Sequence, residues 1–127
     1  MKFNTKTIHG AQSTPGGHKG FEYSRTHNPT RQALENAFAS IENGEFGLAF
    51  GSGLAAIDAV IKLLEPGDEV VSTNDLYGGS YRLFTSIFKK FGIIFHFLGM
   101  ENATNIENYI NEKTKLIWIE TPTNPMM

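Results

Sequence analysis

The sequence predicts an α/β fold, with a mostly parallel sheet and flanking helices, on two observations. Short apolar runs typical of strands alternate with segments of helical periodicity at intervals of about two dozen residues, which is the pattern of βαβ units. The composition is that of a globular chain, because 40% of the 127 residues are hydrophobic and 19% are charged. Ten phenylalanines can supply a hydrophobic core.

The chain is expected to have two parts, an extended N-terminal arm over residues 1–27 and one domain over residues 28–127. The arm is rich in glycine and polar residues and shows no sustained periodicity. No apolar leader is visible, and no run approaches the roughly 18 apolar residues of a membrane span. A net charge of −2 without a basic block indicates neither a nucleic-acid nor a membrane partner. The absence of cysteine fits a cytoplasmic protein.

The first regular element is a helix. Asn28 is expected to cap it, Pro29 suits its first position, and Gly44 is expected to end it. Its apolar face recurs at helical spacing: Leu34, Ala37, Phe38 and Ile41.

A strand and a second helix come next. Residues 46–50 predict a short apolar strand, residues 51–53 a turn, and residues 54–64 a helix that Pro66 ends. Because this helix is apolar nearly all round, we expect it to be heavily buried.

The remaining elements continue the alternation. Residues 81–91 predict an amphipathic helix whose inner face carries four apolar residues: Phe84, Ile87, Phe88 and Phe91. The other predicted elements are strands at 69–73, 93–97 and 116–119, loops at 74–79 and 121–125, and a short helix around Ile106, Tyr109 and Ile110.

Parallel sheets bind ligands at the carboxyl ends of their strands, where residues 51–54, 74–79 and 121–125 are expected to line one edge. The first segment, Gly-Ser-Gly-Leu, opens a helix, and a helix N-terminus offers free N–H groups and a positive dipole to a phosphate. The Ser52 hydroxyl can add a hydrogen bond. An ordinary tight turn is the alternative interpretation.

Three further side chains suit an anionic, planar ligand. Tyr77 lies between a strand and two glycines and can stack on a ring. Arg25 can bind two phosphate oxygens, and its extended segment can reach a neighbouring subunit. Asn124 is held in an extended conformation before Pro125. Each also has an ordinary surface interpretation, and the four histidines show no metal-ligand spacing.

The order of four segments is more specific than any one of them. Residues 22–31, 50–56, 75–82 and 120–125 together resemble the Cys/Met-metabolism family of pyridoxal-phosphate enzymes. That family includes cystathionine γ-synthase, cystathionine β- and γ-lyases, methionine γ-lyase and O-acetylhomoserine sulfhydrylase. The resemblance implies an aspartate-aminotransferase-like (fold type I) large domain, of which residues 28–127 would be the first part.

The resemblance also implies roles for individual residues. Ser52, Gly53 and Leu54 would hold the phosphate of pyridoxal 5′-phosphate, and Tyr77 would stack on its pyridine ring. Asn124 would lie near the ring hydroxyl or the substrate carboxylate. Tyr23 and Arg25 would bind the phosphate in a neighbouring subunit, since the family forms dimers of dimers.

The implied activity is transsulfuration on a small amino-acid substrate, by γ-replacement or γ-elimination on cystathionine or an O-acylated homoserine. Two departures from the family stand out. The stretch between residues 7–12 and Tyr23 is shorter than usual, and no lysine here matches the Schiff-base lysine, Lys113 and Lys115 included. The 127-residue chain is therefore expected to be an N-terminal fragment that is inactive alone.

Two other interpretations stay open from the residues. Gly51, Gly53 and Ala56 match a loose dinucleotide-binding fingerprint, with Asp75 at a plausible distance for a ribose contact. Alternatively, the chain is a non-catalytic cofactor-binding remnant or an assembly module.

Overall fold

The structure is a computed structural model of the chain and describes residues 24–25, 27–99 and 103–123. It divides into two compact units, residues 1–49 and residues 50–127. Most of the predicted N-terminal arm lies outside the described residues, so its conformation stays a prediction.

In the first unit, helix α1 spans Pro29–Ile41 and begins as predicted. The Asn28 side-chain oxygen accepts hydrogen bonds from the N–H groups of Thr30, at 2.9 Å, and Arg31, at 3.2 Å. The helix end differs from the prediction by one residue. Asn43, and not Gly44, adopts the left-handed conformation, with φ 53°, which asparagine tolerates better than most residues.

The strand predicted at residues 46–50 is wrong, because these residues pair with no other described segment. Their aromatic and aliphatic side chains face solvent, with Phe46 81% and Leu48 78% exposed. The Ala49 N–H, which a strand would use in a ladder, donates instead to the Glu35 carboxylate at 2.9 Å. An apolar run without a neighbouring strand has no ladder to join.

The second unit contains a three-stranded sheet in the order β2-β1-β3. Its strands are β1 at Glu69–Thr73, β2 at Ile94–Leu98 and β3 at Thr114–Trp118. Both pairs are parallel, which confirms the predicted sheet type. The predicted bounds are correct for β1 and differ by one or two residues for the other two strands.

Helices flank this sheet. Helix α2 spans Gly53–Ile61, helix α3 spans Gly78–Arg82 and helix α4 spans Ala103–Glu107. Helix α3 continues as a π-helical turn over Leu83–Ile87 and a 3₁₀ turn over Phe88–Phe91. Within the described part of the chain, no helix is long and apolar enough to cross a membrane.

The core lies where α2 and the helical segment after β1 pack on the sheet. Its buried members are Ile61, Val70, Phe84, Phe88 and Ile93. Phe84 is completely buried and stacks on Phe95, with ring centroids 4.7 Å apart, while the Trp118 ring meets it edge-on at 5.8 Å.

Two predictions about burial are corrected. In α2 only Ile61 is fully buried, while Leu54 is 39% and Val60 36% exposed, because one side of the helix packs against the core.

In the helix after β1, Phe84 and Phe88 are buried as predicted, but Ile87 and Phe91 are exposed. The Phe88 N–H reaches the carbonyl of Leu83, five residues back. This wider turn changes the angular spacing that an α-helix would give to these residues.

Candidate functional site

A cavity of about 400 Å³ lies beside the carboxyl ends of β1 and β3 in the second unit. Three segments contribute to it: the start of α2, the loop into α3 and the end of β3. The lining residues are Ser52, Gly53, Leu54, Ile57, Tyr77, Ser80, Trp118 and Glu120. The prediction that the first two loops share one edge is thus confirmed. Of the third predicted loop, residues 121–123 are described and do not line the cavity, whereas Glu120, just before that loop, does.

The start of α2 presents hydrogen-bond donors to this cavity. Ser52 is extended, with φ −160° and ψ 159°, and its hydroxyl oxygen accepts from the Ala55 N–H at 3.1 Å. The N–H groups of Gly53 and Leu54 have no acceptor within the helix, as in the first turn of any α-helix. A Cβ added at Gly53 would meet no atom within 4 Å. An anion therefore has room to approach these donors.

Tyr77 covers another side of the cavity. It is 57% exposed, which leaves much of its phenol surface available to a ligand. The ring rests against the backbone of Gly79, since a Cβ built on that glycine would overlap three ring atoms of Tyr77. The absence of a side chain at Gly79 therefore leaves room for the ring in this position.

Glu120 joins the loop after β1 to the end of β3. One carboxylate oxygen accepts from the Ser80 hydroxyl at 2.6 Å and from the Trp118 indole at 3.1 Å. The other accepts from the Tyr77 N–H at 2.8 Å. Burial acts to raise the pKa of Glu120, but these three hydrogen bonds outweigh it and hold the pKa below its ordinary value.

Asp75 makes a second tie between the same two segments. Its carboxylate accepts a hydrogen bond from the Thr123 hydroxyl. Its carbonyl accepts from the Thr73 hydroxyl at 2.7 Å. In this arrangement the Asp75 side chain is directed to the segment after β3, whereas the dinucleotide interpretation requires it to face a ribose.

The predicted site residues fall into three groups. Ser52, Gly53, Leu54 and Tyr77 share the cavity. Arg25 belongs to the first unit, where its carbonyl accepts from the Arg31 side chain at 3.4 Å. Tyr23 and Asn124 lie outside the described residues, so their roles stay predictions.

The sequence prediction missed Ser80, Trp118 and Glu120. Glu120 opens one of the four segments that carry the family resemblance, and Ser80 follows Tyr77 by three residues, one helical turn. The place of Glu120 in that segment and the spacing of Ser80 from Tyr77 were the sequence features that could have indicated these two residues. Among the described side chains, no group of three or more His, Asp or Glu is arranged to hold a metal.

Comparisons with known proteins agree with this geometry. Residues 2–127 match the family model described as "Cys/Met metabolism PLP-dependent enzyme". A cystathionine β-lyase from Coxiella burnetii is 46% identical over 118 residues, covering 92% of this chain and 30% of the relative. A cystathionine γ-synthase/O-acetylhomoserine (thiol)-lyase from Bacillus subtilis is 48% identical over 112 residues, covering 88% of this chain and 30% of the relative.

A solved structure is similar as well. Cystathionine γ-lyase from Lactobacillus plantarum, complexed with L-serine, superposes with a TM-score of 0.82 at 45% identity, over 86% of this chain and 29% of the other. The chain thus spans about 30% of the length of the curated relatives above. With a family match along almost its whole length, this chain belongs to the pyridoxal-phosphate-dependent enzymes of cysteine and methionine metabolism.

Proposed function

We propose that this chain provides the cofactor-phosphate seat and the ring-stacking surface of a transsulfuration enzyme. The reaction would be γ-replacement or γ-elimination on cystathionine or an O-acylated homoserine. Support comes from the names of the relatives, which include γ-synthases and γ-lyases. The observation that carries the proposal is that the start of α2 and Tyr77 line one cavity.

The residues of the cavity fit pyridoxal phosphate. Its volume of about 400 Å³ is in the range of small-molecule and cofactor sites. The Ser52 hydroxyl and the N–H groups of Gly53 and Leu54 would bind the phosphate, and the phenol of Tyr77 would cover the pyridine ring. Ile57 and Trp118 add apolar surface that excludes water from the ring. When bound, this cofactor supplies an electron sink for carbanion chemistry.

Residues beyond the cavity complete the proposal. Asn124 would contact the ring hydroxyl or the substrate carboxylate. Tyr23 and Arg25 would bind the cofactor phosphate of a neighbouring subunit, which requires a homo-oligomer, as in the dimers of dimers that the resemblance implies.

No lysine among the described residues lines the cavity. We therefore expect the 127-residue chain to bind the cofactor non-covalently and to show no turnover of cystathionine or O-acetylhomoserine by itself. Measured turnover by the purified chain would contradict this expectation.

Ligand titrations test the proposed binding mode. Trp118 is the only tryptophan in the sequence, and it lines the cavity, so its fluorescence reports occupancy. We expect pyridoxal phosphate and 4′-deoxypyridoxine phosphate, which cannot react with lysine, to quench it. Pyridoxal should bind at least about ten-fold more weakly, because it lacks the charge-assisted hydrogen bonds of the phosphate. Preferential binding of NAD would favour the dinucleotide interpretation.

A negative charge placed at the proposed phosphate-binding site tests the role of Ser52. Asparagine, aspartate and serine cap helices about equally well, so neither Ser52→Asp nor Ser52→Asn should change the melting temperature much. The added negative charge in Ser52→Asp should weaken binding of pyridoxal phosphate by about ten-fold or more. Ser52→Asn, which loses the hydroxyl but carries a neutral amide donor, should lose less affinity than Ser52→Asp. Equal affinities for the two variants would show that the phosphate binds elsewhere.

A further inference from the structure

We propose that Glu120 is a positioning residue of the cofactor site, which holds the backbone of Tyr77 so that its ring stays over the cavity. The inference rests on the proposed function and extends it to a residue that does not need to touch the ligand. Its basis is the three hydrogen bonds that converge on one carboxylate from the start of α3 and the end of β3.

The location of this carboxylate is unusual for a cavity that receives an anion. A free carboxylate beside a phosphate would repel it. Here both oxygens already accept hydrogen bonds, two on one oxygen and one on the other, at 2.6 to 3.1 Å. Donors within the protein therefore compensate the negative charge of Glu120. Its side chain is better suited to hold the surrounding residues in place than to bind the cofactor.

The Tyr77 contact is the one that matters for the ligand. Tyr77 is the N-cap residue of α3, and its side chain makes no capping hydrogen bond. Its N–H donates to Glu120, 43 residues further along the chain. Ser80 is fixed to the same carboxylate one turn later. Together the two hydrogen bonds hold the main chain of Tyr77. The missing side chain at Gly79 leaves room for the Tyr77 ring.

Replacing Glu120 by glutamine breaks this arrangement selectively. The amide has one oxygen and one NH₂ group. If the oxygen keeps the two donors Ser80 and Trp118, the NH₂ group faces the Tyr77 N–H, and two donors oppose each other. The Tyr77 N–H then loses its acceptor in the protein, so the loop should move away from the glutamine side chain.

The test is a double-mutant cycle on the affinity for pyridoxal phosphate. Glu120→Gln should weaken binding by about ten-fold in the otherwise unmodified chain. In the Tyr77→Ala background the same change should have little further effect, because the ring that it positions is gone. Amide hydrogen exchange in residues 74–80, measured without ligand, should rise in Glu120→Gln.

Glu69→Gln is the matched control. Glu69 also accepts two side-chain hydrogen bonds, from Asn111 and His96, but it starts β1 and does not line the cavity. Glu69→Gln should change the melting temperature of the chain and leave its affinity for pyridoxal phosphate unchanged. If Glu120→Gln does not melt cooperatively, Glu120→Asp is used instead. It keeps the charge on a shorter side chain and should lose less than the roughly ten-fold in affinity that is expected for Glu120→Gln.

The outcomes separate the two proposals. If the unmodified chain does not bind pyridoxal phosphate, the proposed function fails and the role of Glu120 in it fails as well. If the chain binds but Glu120→Gln binds equally well, or if its effect is fully additive with Tyr77→Ala, only the positioning role is overturned.

Discussion

Gly79 shows how the absence of a side chain can define a site. The space that its Cβ would fill is occupied by the Tyr77 ring. Neither glycine at the start of α3 has a positive φ, so the requirement for glycine at position 79 comes from packing against the ring and not from backbone conformation.

Alanine substitutions at two adjacent glycines test this. Gly79→Ala should displace the Tyr77 ring and weaken binding of pyridoxal phosphate by about two- to ten-fold, the range expected for a lost stacking contact. Gly78→Ala is the control, because its Cβ would lie 3.5 Å from the Arg82 side chain, an ordinary contact. Equal titration curves for the two variants would contradict a role for the Tyr77 ring.

Individual site residues were predictable to different degrees. Ser52 and Tyr77, which line one cavity, could be selected from their immediate neighbours: a small residue before a helix, and an aromatic ring beside glycines. Glu120 was not selected, because its hydrogen-bond partner Tyr77 lies 43 residues away in the sequence. Only the pairing of β1 with β3 brings them together.

At the scale of elements, periodicity predicted β1 correctly and the strand at residues 46–50 incorrectly. The run at residues 46–50 is the more apolar of the two, but β1 has a parallel partner on each side, whereas the Ala49 N–H donates to a helix side chain. Local pattern does not reveal which runs find partners. The π-helical turn at Leu83–Ile87 also could not be predicted from α-helical spacing.

The 3₁₀ turn that follows contains two phenylalanines three residues apart. Phe88 is 5% exposed and Phe91 63% exposed, so the two rings should contribute differently to stability. Phe88→Ala should cost about 3–5 kcal/mol of unfolding free energy. Phe91→Ala should cost well under about 1 kcal/mol. Urea unfolding followed by Trp118 fluorescence measures both, and similar midpoints would contradict the different burial of the two rings.

At the scale of the molecule, one acidic side chain links all three strands at the end opposite the cavity. Glu69 starts β1, accepts from Asn111 just before β3 at 3.0 Å, and pairs with His96 on β2 at 2.8 Å. The hydrogen bond from Asn111, then that from His96, and the nearby charges of His96 and Lys113 outweigh burial and lower the pKa of Glu69.

The direction of this shift sets the pH dependence of stability. Because the folded-state pKa lies below the ordinary value of 4.5, the contribution of Glu69 is fully present above that pH. It is lost as the pH falls through the folded-state pKa. Thermal melts of the chain and Glu69→Gln should therefore differ at neutral pH and converge in acid. Glu65→Gln, at an exposed position, should follow the unmodified chain throughout.

The parallel sheet itself was predictable from the whole chain, since strands that alternate with helices can hardly pair otherwise. The structure also confirms that the loops predicted at the start of α2 and before α3 share one cavity. The roles of Tyr23 and Arg25 towards a neighbouring subunit stay predictions.

The two ties at the cavity have a consequence for the order in which the chain folds. Glu120 and Asp75 join segments that lie 43 and 48 residues apart, and contacts of such long sequence separation require a large loop to close before they contribute. The pocket is therefore complete only once β3 has docked. A compound that binds in this pocket therefore binds only the native state. It raises the free energy of unfolding, and this stabilisation increases with the concentration of the compound.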